Sequence, residues 1–108
     1  MDEGVKFVVA ALVVVIAKSA IILFMNNKHR KTLEAVFGDP VNGNLEWRRI
    51  EALLLALGAK KTEREGSSVS FVLNGIRADF HRPHPDKAAL RYRVKDARRF
   101  LQQAGITP

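Results

Sequence analysis

The segment His81-Arg82-Pro83-His84-Pro85 brings two imidazoles and a guanidinium close together, and its two prolines forbid helix and keep the backbone extended. Imidazole ordinarily exchanges protons near neutral pH. His81 and His84 beside one phosphodiester can therefore divide acid and base work, with Arg82 stabilising the charge that develops. Equally, His81 can end a strand while His84 hydrogen-bonds the loop or a phosphate. A second group, Arg91, Lys95, Arg98 and Arg99, recurs at helical spacing and forms a row suited to tracking phosphates, or else a solvated face. Asp79, His81 and His84 are possible metal ligands, but strand alternation sends Asp79 and His81 to one face while the prolines place His84 independently. No metal ion or cofactor is expected. The chain has no cysteine, which excludes disulfides, a thiolate nucleophile and cysteine-ligated zinc, and it has no Walker, Rossmann or Ser-His-Asp pattern.

Charge points to the kind of partner. Lysine and arginine number 18 against 11 acidic residues, a net charge of +7. Residues 1–25 contribute Lys6 and Lys18 against Asp2 and Glu3, so the whole excess lies in residues 26–108. A domain this small and basic attracts polyanions: nucleic acid, an anionic membrane surface or an acidic protein. A merely soluble basic domain would show the same balance.

These side chains must be held by a core drawn from residues 26–108. Leu33, Val36 and Phe37 predict a short lead-in helix over residues 28–37, stopped at Gly38-Asp39-Pro40. Asn44 is placed to cap a second helix, whose apolar positions Trp47, Ile50, Leu53, Leu54 and Leu57 follow a 3.6 period up to Gly58. Trp47 belongs to that stripe, although an exposed indole there would stack on a base. Extended segments are predicted over 59–64, 68–73 and 76–81, with Glu65-Gly66-Ser67 as the first turn and Asn74-Gly75 as a two-residue hairpin loop. A final helix over 92–104 buries Val94, Ala97, Phe100, Leu101 and Ala104 and ends at Gly105.

The segment from Val5 to Met25 is nearly all apolar. It has the length of a membrane span, with Lys18 as its main obstacle and the basic run Lys28 to Lys31 as a cytoplasmic flank. It is read as an apolar N-terminal helix anchoring the domain at the inner membrane, or as an over-extended gene start ahead of Met25. Either account leaves the domain in the cytoplasm.

The resulting class is α+β: a helix, three antiparallel strands and a helix, with both helices on one sheet face, the order of the double-stranded RNA-binding fold. Within that order, Trp47-Arg48-Arg49-Ile50-Glu51-Ala52-Leu53-Leu54, Leu57-Gly58-Ala59, Gly66-Ser67, Pro83-His84 and Phe100-Leu101-Gln102-Gln103-Ala104-Gly105-Ile106 together resemble the HicA family of mRNA interferase toxins, over residues 28–107. The resemblance implies a toxin that binds and cleaves mRNA without metal and is neutralised by a HicB-like antitoxin. In that family the turn into the second strand reads Gly-Ser-His, with the histidine catalytic; here it reads Gly66-Ser67-Ser68. A serine hydroxyl cannot replace imidazole as a base near neutral pH. The resemblance therefore leaves His84 and His81 as the catalytic candidates, and Gly66, Ser67, Ser68, Arg82, Arg91, Lys95, Arg98 and Arg99 as the RNA-binding set. The other outcome is a module of the same fold that binds RNA or protein without catalysis, with or without a membrane tether.

Overall fold

A computed structural model of the chain describes residues 25–83 and 88–108. The expected apolar helix, up to Phe24, and His84 lie outside the described residues. The elements are α1 (Asn27–Val36), α2 (Trp47–Ala56), β1 (Lys60–Glu63), β2 (Ser68–Leu73), β3 (Ile76–His81) and α3 (Arg91–Gln103). The strands form one antiparallel sheet in the order β1-β2-β3. The expected α-β-β-β-α order is present, with α1 added before it.

Alternation builds the buried face of the sheet. Val69, Phe71, Leu73 and Phe80 are buried on the side that carries the helices. Phe80 is the hub, with its ring centroid 5.2 Å from Trp47 of α2 and 6.1 Å from both Phe71 and Phe100 of α3. Trp47 is 4% exposed, so its indole is core and cannot stack on a base. Each large apolar side chain buried here is worth roughly 1.5–3 kcal/mol, and Ile50, Leu53, Leu54, Val94, Ala97 and Leu101 have no exposed surface at all. The lead-in helix does more than precede this core: Leu33 and Val36 are buried as α1 packs across α2 and α3.

Two turns follow from residue chemistry. Asn74 and Gly75 take φ of 52° and 80°, the two left-handed positions a type I′ loop requires. Gly58, at φ 96°, ends α2 and lets Ala59 N–H donate to the Leu54 carbonyl.

One expected cap is absent. Asn44 does not cap α2; the helix begins after Glu46, and Asn44 instead donates its backbone N–H to Asn42 Oδ1. Long-range pairing accounts for the shift. Glu46 bridges Ala88 and Ala89 N–H donates to the Leu45 carbonyl, which seats Leu45 and Ala89 in the core. This pairing also brings the start of α3 beside the start of α2.

Candidate functional site

The hairpin register decides which side chains meet on the open face of the sheet. The Asn74-Gly75 loop pairs Leu73 with Ile76, and counting outward places Ser68 opposite His81. Both side chains project away from the helices, and Ser68 Oγ lies 3.1 Å from His81 Nδ1. In the tautomer with the proton on Nδ1, that nitrogen donates to Ser68 and Nε2 is the acceptor on the far edge of the exposed ring. The ladder thus sets an imidazole directly across from the Gly66-Ser67-Ser68 turn.

The third strand completes the row. Arg64, just past β1, donates its backbone N–H to the Ser68 carbonyl, while Arg64 Nε donates to Ser70 Oγ at 3.0 Å. Neither Nη group of Arg64 has a hydrogen-bond partner among the described residues, although the Arg64 charge also acts on nearby Asp79. A guanidinium, a hydroxyl and an imidazole therefore cross the sheet in the order Arg64, Ser68, His81. One register step inward, Ser70 donates to Asp79 Oδ1, which also accepts from Arg77 Nε at 3.1 Å. The Ser70 hydroxyl, and then Arg77, hold the Asp79 carboxyl below the usual carboxylate range. Asp79 stays ionised and binds its own neighbours. Among the described residues no cluster of three or more His, Cys, Asp or Glu side chains is placed to hold a metal ion.

The expected cations divide into two kinds. Arg82 follows His81, but its side chain turns to the helix side of the sheet. There it forks onto Glu51 of α2 through Nε and Nη2 and onto Glu63 of β1 through Nη1 and Nη2, at 2.6–3.2 Å. These bonds raise the Arg82 pKa further above its already high value. The hydrogen bonds from Arg82 hold Glu63 below the usual carboxylate range. Arg82 N–H also donates to the Ser67 carbonyl at 2.8 Å, so this residue ties the end of β3 to the turn that precedes Ser68. With its guanidinium spent on carboxylates, Arg82 acts as a brace beneath the site.

Arg98 is engaged in the same way. Its Nε and Nη2 donate to the Val36 and Gly38 carbonyls at 2.9 and 2.7 Å, and Nη1 reaches Asp39 at 3.3 Å, which fastens α3 to the end of α1. Arg91, Lys95 and Arg99 remain at the surface of α3, and Gly66 and Ser67 are exposed in their turn. Arg64 is not among the residues that the sequence singles out. Its only local sign is its position beside the Glu65-Gly66-Ser67 turn.

No curated protein and no solved structure matches the chain significantly. A family model described as the HicA toxin of bacterial toxin-antitoxin systems matches residues 47–106, more than half of the chain and the whole stretch from α2 through α3.

Proposed function

The chain belongs to the HicA toxins of bacterial toxin-antitoxin systems, and we propose that it acts by binding mRNA and cutting it with His81 in place of the histidine that Ser68 replaces. As a member of this family it is the toxin half of a pair and has an antitoxin partner; we propose that this partner is HicB-like. The observation that carries the catalytic reading is the Ser68 to His81 approach of 3.1 Å. This contact supports the reading because it sets an imidazole from the neighbouring strand beside Ser68, where the resemblance puts the family's histidine.

In this scheme Nε2 of His81 accepts the proton of a ribose 2′-hydroxyl as that oxygen attacks the adjacent phosphorus. The O2′–P bond forms and the P–O5′ bond breaks, giving a 2′,3′-cyclic phosphate and a 5′-hydroxyl end. The departing oxygen takes its proton from His84 or from water. Arg64 supplies positive charge beside the phosphorane, a role that Arg82, committed to Glu51 and Glu63, does not fill. Gly66, Ser67 and Ser68 present the backbone of the turn to the RNA. Arg91, Lys95 and Arg99 hold its phosphates along α3. An mRNA substrate places this chemistry in the cytoplasm, whether or not residues 5–25 sit in the inner membrane.

The test is cleavage of single-stranded RNA by the purified full chain in the presence of a chelator, with end-group analysis of the products. Cyclic phosphate ends, lost in His81→Ala with RNA affinity retained, are expected. Intact RNA with wild-type protein that still binds it would identify a binding module in which hydrolysis has been lost along with the histidine at position 68.

A further inference from the structure

Pairing of Glu46 with Ala88 brings the start of α3 against the loop before α2 and leaves an open cleft of about 380 Å³ between them, lined by Gly43, Asn44, Leu90, Arg91 and Tyr92. The volume lies at the lower end of the roughly 300–1,000 Å³ that small-molecule sites occupy. Leu90 and Tyr92 are 53% and 55% exposed, the two most exposed large apolar side chains among the described residues. Tyr92 is the chain's only tyrosine. Its ring carries the Arg93 guanidinium at 5.0 Å from the centroid on one side.

Across the cleft, Gly43 makes room for Arg91. A Cβ at position 43 would lie 3.3 Å from Arg91 Nε and 3.4 Å from Arg91 Cγ. Asn44 uses its backbone N–H on Asn42 Oδ1, and its own side-chain amide has no partner among the described residues. The cleft thus combines an exposed aromatic ring, an amide with both donor and acceptor that has no partner among the described residues, and the guanidinium of Arg91 in its lining.

We propose that this cleft holds one unpaired nucleobase of single-stranded RNA, stacked on Tyr92, with its edge against the Asn44 amide and its phosphate beside Arg91. Unstacked bases are recognised by aromatic rings and by amide contacts to their edges, and every base offers a face to stack. An acidic protein segment would satisfy the arginines but would leave the ring and the amide unused. The cleft continues the exposed cations of α3, so the proposal rests on the RNA-binding reading given above and adds to it a subsite that prefers single strands over duplex.

The test uses the full chain and fluorescein-labelled 2′-O-methyl oligouridylate, whose blocked 2′-oxygen prevents cleavage. The control is an abasic 2′-O-methyl oligomer of the same length and charge. Stacking of a base on an aromatic ring accounts for roughly tenfold in affinity or more. Tyr92→Ala should lose about that factor for oligouridylate, keep its affinity for the abasic oligomer and leave the salt slope unchanged; Tyr92→Phe should restore binding. The retained abasic affinity also shows that the variant is folded.

Wild type that binds neither oligomer would overturn the RNA-binding reading and this proposal with it. Wild type that binds oligouridylate, with Tyr92→Ala binding it equally well, would overturn the base subsite alone. Loss of antitoxin association in Tyr92→Ala, with oligouridylate binding intact, would assign the cleft to the protein partner instead.

Discussion

Replacing Arg82 by methionine removes the guanidinium that joins β3 to both Glu51 and Glu63 while keeping a long apolar stem. The Arg82 and Glu51 side chains are 25% and 16% exposed, so their ion pair lies between a surface pair, worth about 0–1 kcal/mol, and a buried one, whose disruption costs about 3–5 kcal/mol. The fork geometry and the low exposure of Glu51 place the expected loss near 2 kcal/mol, most of it the cost of leaving the Glu51 carboxylate without a partner. With m about 1 kcal/mol/M for a domain this small, the urea midpoint should fall by about 2 M. The second half of the cycle is Glu51→Gln, which removes the stranded charge. Arg82→Met combined with Glu51→Gln should recover at least half of the loss. A midpoint within about 0.3 M of wild type in Arg82→Met would mean that the pair is solvated and does not brace the strand end. A loss unrelieved by Glu51→Gln would place the cost elsewhere.

Other outcomes follow from the same geometry. Lys95→Ala with Arg99→Ala should weaken RNA binding and lower the salt slope by roughly 1.4 to 1.8, about 0.7–0.9 for each phosphate no longer neutralised, as read from affinity against salt concentration. Arg98→Ala should leave that slope unchanged and instead cost about 1–2 kcal/mol of stability in urea, because the Val36 and Gly38 carbonyls lose their donors. Glu63 and Asp79 both have depressed folded-state pKa values, so they favour the folded state above the unfolded carboxylate range, and this contribution fades as pH falls through their folded values. Urea midpoints should therefore decline in acid, and Glu63→Gln should flatten that decline; a midpoint independent of pH down to about 3 would contradict it. Residues 26–108 expressed alone should fold, since the two long helical stripes and the sheet face supply one core, and loss of helical circular dichroism in that fragment would show that the preceding residues are needed.

Local chemistry makes much of this fold legible. The 3.6-residue stripe of α2, the alternation of β2 and β3 and the left-handed demands of Asn74-Gly75 each arise from residues near one another in sequence. The site is partly legible by the same logic. A two-residue loop fixes the hairpin register, and counting outward from it pairs Ser68 with His81, whereas spacing along the chain pairs His81 with His84. Partners chosen over long distances are not legible. Nothing near Arg82 signals that Glu51 and Glu63 will meet it, and nothing near Arg98 signals the carbonyls at the end of α1. A row of cations at helical spacing therefore reads as one face, although Arg98 is bound inward while Arg91, Lys95 and Arg99 stay at the surface. Asn44 has the chemistry of a cap, but pairing of the flanking Leu45 and Glu46 with residues 88 and 89 starts α2 later than such a cap would.

If, as proposed, the His81 imidazole on β3 carries the cleavage chemistry at the position facing Ser68 of β2, then moving the imidazole across the ladder should move the activity with it. Metal-free cleavage of single-stranded RNA should be measured for wild type, for His81→Ala, and for the exchange of Ser68→His with His81→Ser. Cleavage is expected in wild type, none above background in His81→Ala despite retained RNA affinity, and partial recovery in the exchanged chain, where the two side chains again face each other at the same register position. Cleavage that persists undiminished in His81→Ala would contradict the proposal, and persistence in His84→Ala as well would place the active residues elsewhere in the molecule.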